Sequence, residues 1–186
     1  SVTWYRGIWG SRSYYKITGT DRFGCTFNVD LTSLPGYSQL TGAYPDGAPR
    51  ERAVVYVTGS VDGCQIRRAD VQSGEYFAPN GTTIGHVEHG TGNVKYCRPD
   101  GTPAREYNLD NGQIIRERMW WKDGGLQSDR QYSDGRLDGV YTDYYPSGKI
   151  RSKSIVEQNA FMHADWYDQD GNPAPKPDAI SIIGKY

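Results

Sequence analysis

A five-residue phrase, Tyr144-Tyr145-Pro146-Ser147-Gly148, returns along this chain in recognisable variants, and its return limits the folds open to it. Asn80-Gly81, Asp100-Gly101, Asp123-Gly124 and Asp170-Gly171 close short aromatic stretches in the same way. The last four of these five glycines recur every 23 or 24 residues. A second series runs midway with the same spacing: Asn111-Gly112, Asp134-Gly135, and Asn159 in the place of a glycine. A fixed period of this length marks a repeat architecture, in which each repeat is too small to bury its own apolar face and stacks on the next.

The columns around each main-series glycine say what the repeat is made of. One residue before it stands Asn, Asp or Ser, and two before it stands Pro at Pro79, Pro99 and Pro146. Proline presets φ, the short polar side chain bonds back to the backbone, and glycine supplies a positive φ, which together make a tight turn. Four residues before it stand Phe77, Cys97, Trp120, Tyr144 and Tyr167, all bulky or apolar; six before it stand the polar Glu75, Lys95, Arg118, Thr142 and Asp165. The second series has its own apolar column at Leu109, Tyr132 and Val156. A strand therefore enters each turn, and a strand of alternating polarity, such as residues 148–153, leaves it.

The expected fold is all-β: repeated antiparallel hairpins stacked as an elongated, twisted meander or solenoid. Phe77, Trp120, Tyr144 and Tyr167 are its expected inward aromatic ladder. Residues 71–172 carry the repeats. Residues 1–70 read as a β-rich cap or small domain, with a buried strand at residues 53–57 and no clear repeat in residues 1–42. Residues 173–186 read as an extended, proline-rich tail with a final short strand at residues 180–183. No segment has helical periodicity with caps.

Charge is nearly balanced, 21 Lys+Arg against 22 Asp+Glu, so the global drive toward phosphate that nucleic-acid binding needs is absent. No run approaches the ~20 apolar residues of a membrane span. Fifteen Tyr and five Trp suit both strands and interfaces, because an apolar ring carries a polar handle. The chain opens at Ser1, and with its tyrosine-rich, lysine-poor β composition this points to an exported, periplasmic protein; a cytoplasmic one is the alternative. Cys25, Cys64 and Cys97 are widely spaced and form no CxxC, which leaves open one disulfide with a free thiol or three buried thiols. Cys97 falls in the apolar column and reads as packing.

No catalytic residue, metal site or cofactor site is expected. His86-Val87-Glu88-His89 holds the only histidine cluster, but strand alternation would leave just two ligands on one face, too few for zinc. It reads as an exposed polar loop between repeats, and His163 as a structural residue of a strand at a repeat edge. Asp138 with Asp143 and Asp168 with Asp170 lie in or beside turns, where Asp bonds the backbone. Nucleophile-elbow, phosphate-loop and metalloprotease motifs are absent. Three residues before each glycine the column is mixed (Ala78, Arg98, Trp121, Tyr145, Asp168) and should face outward. Arg98, Trp121 and Tyr145, with Tyr132, Tyr141 and Arg118 on the strands, are the candidate partner-binding residues: rigid rings with polar tips and forked cations.

The phrase running from Gly135-Arg136-Leu137-Asp138-Gly139 through Tyr144-Tyr145-Pro146-Ser147-Gly148-Lys149-Ile150 closely resembles the MORN-variant repeat, the repeat of the YwqK-type antitoxin family and of some immunity proteins against secreted effectors. The likeness runs from about residue 92 to 172, reaches upstream to 71, and departs from the pattern at the doubled Gly124-Gly125 and at Asn159. It implies a β-hairpin solenoid used for protein binding, often as the antidote to a toxin. The partner it implies is one cognate toxin or effector, bound one-to-one. A lipase or phospholipase of the kind type VI secretion delivers would suit a Tyr/Trp-rich surface. Lipid binding proposed for the longer-known MORN repeat supplies the alternative, a membrane-surface or scaffold module. Residues 92–160 hold 11 Lys+Arg against 10 Asp+Glu, a balance that disfavours anionic lipid.

Overall fold

A computed structural model describes residues 2–9, 12–31, 35–60 and 65–176. Cys64 and the final strand expected at residues 180–183 lie outside the described residues. The chain divides into two compact units, Ser1–Ile115 and Arg116–Tyr186.

The first unit holds β1 (Val2–Trp9), β2 (Arg12–Thr20), β3 (Thr26–Leu31), β4 (Gly36–Ala43), β5 (Pro49–Ser60), β6 (Gln65–Phe77), β7 (Thr83–Glu88), β8 (Thr91–Cys97) and β9 (Pro103–Asp110). The strand β10 (Gln113–Trp120) begins there and runs into the second unit, which adds β11 (Leu126–Ser133), β12 (Arg136–Tyr144), β13 (Ile150–Glu157) and β14 (Ala160–Trp166). Within each unit the strand order is the chain order and neighbours pair antiparallel, so the fold is the expected all-β meander of hairpins. No helix occurs among the described residues, and so none long and apolar enough to cross a membrane.

The main-series turn has one geometry throughout. The glycine N–H donates to the carbonyl three residues back, and that residue's N–H donates to the carbonyl just past the glycine. Gly47 with Tyr44, Gly81 with Ala78, Gly101 with Arg98, Gly124 with Trp121, Gly148 with Tyr145 and Gly171 with Asp168 all obey it. Each of these glycines has φ between 82° and 90°, the left-handed region that L side chains avoid. The preceding Asp or Asn earns its place by accepting the N–H two residues on: Asp46 from Ala48, Asn80 from Thr82, Asp100 from Thr102 and Asp123 from Gly125.

The turn pattern places no repeat in residues 1–42, yet the structure has one there, at Asp21–Cys25, with Gly24 at φ 78° and 23 residues before Gly47. It escapes the pattern because Phe23 stands where Asx is expected. Asp21, three residues before the glycine, does the bonding instead, accepting from Phe23 and Cys25 N–H. Asp168 plays the same part at the last turn, accepting from Asp170 and Asn172, and these N–H groups lower its pKa. The second series is built differently, with two consecutive positive φ values at Asn111-Gly112, Asp134-Gly135 and Gln158-Asn159, the two-residue hairpin turn. His89-Gly90 belongs to it too. The histidine segment is therefore the end of β7 and a hairpin tip, not a loop between repeats, although His86, Glu88 and His89 are exposed as expected.

In five hairpins the strand register slips at the same place, between the residues five and four before the glycine: Gly42/Ala43, Tyr76/Phe77, Tyr96/Cys97, Met119/Trp120 and Asp143/Tyr144. At the Gly81 turn this bulge leaves the residue five before the glycine enclosed, and at the Gly101 turn the residue four before it. Tyr76 is fully buried and meets Tyr96 edge-to-face at 5.6 Å, whereas Phe77, Trp120, Tyr144 and Tyr167 are half-buried. Cys97 is the buried member of that second column.

The first unit has an aliphatic cluster of Ile17, Val55 and Val57, and a second of Tyr76, Val87, Val94 and Leu109. The second unit buries Val156, and with it the polar Ser128, Ser152, Ser154, Thr142 and Glu117. Small serines lie opposite large side chains there: Ser128 opposite Met119, Ser152 opposite Trp166 and Ser154 opposite Tyr141. Successive turns are also tied side by side. Tyr44 Oη donates to Phe77 O and Tyr145 Oη to Tyr167 O, both at 2.8 Å, while Gly112 N–H donates to Gly90 O and Asn159 N–H to Leu137 O.

Gly148 has open space around a substituted Cβ, so Gly148→Ala isolates the cost of the positive φ. Urea unfolding should show a loss of about 1 kcal/mol, with Gly148→Asn recovering part of it, because Asn tolerates the left-handed region.

Candidate functional site

Two regions carry more than packing requires, one on each unit. On the second unit, β10, β11 and β12 bring together Glu117, Arg130, Tyr132 and Tyr141. Glu117 Oε2 accepts from Tyr132 Oη at 3.0 Å and from Arg130 Nη1 at 3.4 Å. Arg130 Nη2 donates to Tyr141 Oη at 3.1 Å and its guanidinium lies 4.8 Å from the Tyr141 ring centre. Burial, then the Glu117 charge, raises the Tyr132 phenol; burial, then Asp143, raises that of Tyr141. Both phenols stay protonated and rigid.

Tyr141 also leans on Phe161 of β14, ring centres 6.0 Å apart. Phe161 is 58% exposed, Met162 59% and Ile155 40%, the most open large apolar residues of this unit. His163 pairs with Asp165 at 2.9 Å on the same exposed strand. Asp143 does not bond the backbone, as the sequence suggested, but receives Arg151 Nη2 at 3.1 Å, and Asp138 accepts from Gln158 Nε2 at 2.7 Å.

Of the six candidate contact residues, Tyr132 and Tyr141 are the two brought together. Arg118 is half-buried on β10, opposite Asp129 in register. Trp121 is half-buried at the turn, its backbone N–H closing onto Gly125 O. Tyr145 is half-buried, with its hydroxyl engaged by Tyr167 O. Arg98 belongs to the first unit and is buried, reaching Thr102 Oγ1 and Pro103 O and lying 5.8 Å from the Phe23 ring centre. The Phe161–Met162 pair was missed because an apolar pair leaving a turn reads as core; only the exposure of β14 shows otherwise.

On the first unit a cleft of about 240 Å³ opens between Phe23, Tyr96, Tyr107, Arg22, Arg50 and Arg105. Its base is a buried charge cluster. Arg50, 9% exposed, is gripped by Asp21 Oδ2 at 2.5 Å and Glu51 Oε1 at 3.0 Å, and stands 5.3 Å from the Tyr96 ring centre. Glu51 is 2% exposed and lies flat over Gly42, where any Cβ would collide with its carboxylate. Burial drives the Tyr76 and Tyr96 phenols well up, and the Glu51 charge adds to it. Cys25 and Cys97 beside them are free, buried thiols raised by burial, so neither is a ready nucleophile. Nothing in the sequence marks Arg50-Glu51 except the glycine opposite, whose meaning depends on strand register. Among the described residues no three His, Cys, Asp or Glu side chains gather as a metal would need.

No protein-family model matches the chain, and no curated protein matches it significantly.

Removing one partner of a buried ion cluster strands the others. Arg50→Met should therefore cost about 3–5 kcal/mol in urea unfolding, and the double variant Arg50→Met/Glu51→Gln should cost less than Arg50→Met alone.

Proposed function

We propose that this protein is an antitoxin or immunity-type binding protein. It neutralises one cognate toxin or secreted effector through direct one-to-one contact that covers the active site or substrate entrance. The observation that carries this reading is on the second unit: Phe161 stands open against Tyr141, whose hydroxyl and ring are held by Arg130, itself bonded to Glu117. Apolar anchors backed by an immobile ring lose little entropy on association, and anchors of this kind dominate binding energies. Short-period hairpins and the MORN-like phrase support the same reading. An effector with an apolar substrate mouth, a lipase or phospholipase, would complement these anchors, and the periplasm is where an exported neutraliser would meet it.

The test is titration against the product of a neighbouring reading frame that encodes a large secreted effector. A one-to-one complex that abolishes the effector's activity is expected. Phe161→Asp should weaken that complex about 30-fold or more while leaving the unfolding midpoint nearly unchanged. Unchanged affinity in Phe161→Asp and Met162→Ala would remove this surface from the interface. Absence of any complex, with co-sedimentation on anionic vesicles instead, would replace neutralisation with the membrane-surface alternative.

A further inference from the structure

We propose that the first-unit cleft is a binding site for a small aromatic carboxylate. This site stands whether or not the second unit binds a toxin. Its size sets the first limit. About 240 Å³ is the space of roughly eight water molecules and lies below the usual range of drug-sized pockets, so it admits one ring with a short acid group. Three rings, Phe23, Tyr96 and Tyr107, line it and supply offset or edge contacts to a planar guest.

Charge sets the second limit. Arg50 at the base is already paired with Asp21 and Glu51, so Arg22 at the exposed rim supplies the positive charge that draws an anion in. Arg50 cannot swing away, because Asp21 and Glu51 hold two of its nitrogens, while its buried Nε has no hydrogen-bond acceptor. Arg22 is exposed, lies 4.7 Å from the Phe23 ring centre, and pairs with no carboxylate among the described residues. Its planar fork, steadied by that ring, matches a carboxylate two-for-two. Arg105 is oriented by Tyr107, whose hydroxyl lies 2.9 Å from its Nη1.

The ligand could be a free aromatic acid or the C-terminal aromatic residue of a peptide, and both present the same chemistry. The test is a chemical-shift titration of the full chain with benzoate, cyclohexanecarboxylate, benzyl alcohol and a tripeptide ending in Phe. Benzoate should shift amides in residues 21–24, 96–98 and 104–107 saturably. Cyclohexanecarboxylate and benzyl alcohol should bind about tenfold more weakly, since each lacks one half of the recognition. Arg22→Ala, at an exposed site outside the buried cluster, should weaken benzoate about fivefold or more with the rest of the spectrum unchanged. A tripeptide that binds more tightly than benzoate assigns the source to a chain terminus, and a weaker one to a free acid. The proposal is overturned by the absence of saturable shifts with benzoate and the tripeptide, by equal affinity for the non-aromatic or uncharged compound, or by an Arg22→Ala variant that binds as the parent does.

Discussion

One constraint, a glycine held in the left-handed region at the end of every second strand, sets the positions of nearly everything else. With φ near +85°, Gly47, Gly81, Gly101, Gly124, Gly148 and Gly171 let the chain reverse while both of the turn's backbone hydrogen bonds close. The register slips just upstream of that residue in five of these hairpins, and at Gly81 the slip leaves one side chain of the pair enclosed. Tyr76 rather than Phe77 fills the core for that reason. The adjoining Asx carboxylate or amide then accepts the next N–H in four of these turns, at Gly47, Gly81, Gly101 and Gly124.

The two units answer the same backbone plan with different interiors. Aliphatic side chains dominate the first, and a buried Arg50–Asp21–Glu51 cluster interrupts them. In the second, serines make room for Tyr141, Asp143 and Trp166, and charged pairs such as Arg130–Glu117 and Arg151–Asp143 take the place of an apolar centre. Buried charge is an expensive way to stabilise a fold, since desolvation offsets most of the attraction. What such networks do provide is fixed orientation. Tyr141 under Arg130 and Arg50 under Tyr96 are both held where a partner or ligand could use them.

Turn chemistry is local, so the spacing of Asx-Gly pairs was legible in the sequence and gave the hairpins, their antiparallel sense and the repeat. What depends on register was not. Tyr76 is enclosed in place of Phe77 at the Gly81 turn, because a bulge is invisible until strands are paired. The turn at Gly24 was hidden because Asp21 bonds from a different position. Tyr44-Pro45-Asp46-Gly47 has the same turn residues but stands 34 residues before Gly81, because the hairpin between them, β5 with β6, has strands of 12 and 13 residues. Tyr145 looked like a free contact ring because its hydroxyl partner, Tyr167 O, lies in the following repeat. Neither the Arg50 cluster nor the open Phe161–Met162 pair leaves a mark in composition, since both are defined by what stands across the sheet.

Native-state amide exchange across the turns tests the central constraint most directly. If the glycine turn organises the fold, the N–H groups of Tyr44, Ala78, Arg98, Trp121 and Tyr145 should be protected to the same degree as their flanking strands, and those of Gly47, Gly81, Gly101, Gly124 and Gly148 with them. Free exchange at these amides beside protected strands would mean that the turns follow from sheet packing instead of directing it, and would contradict the account.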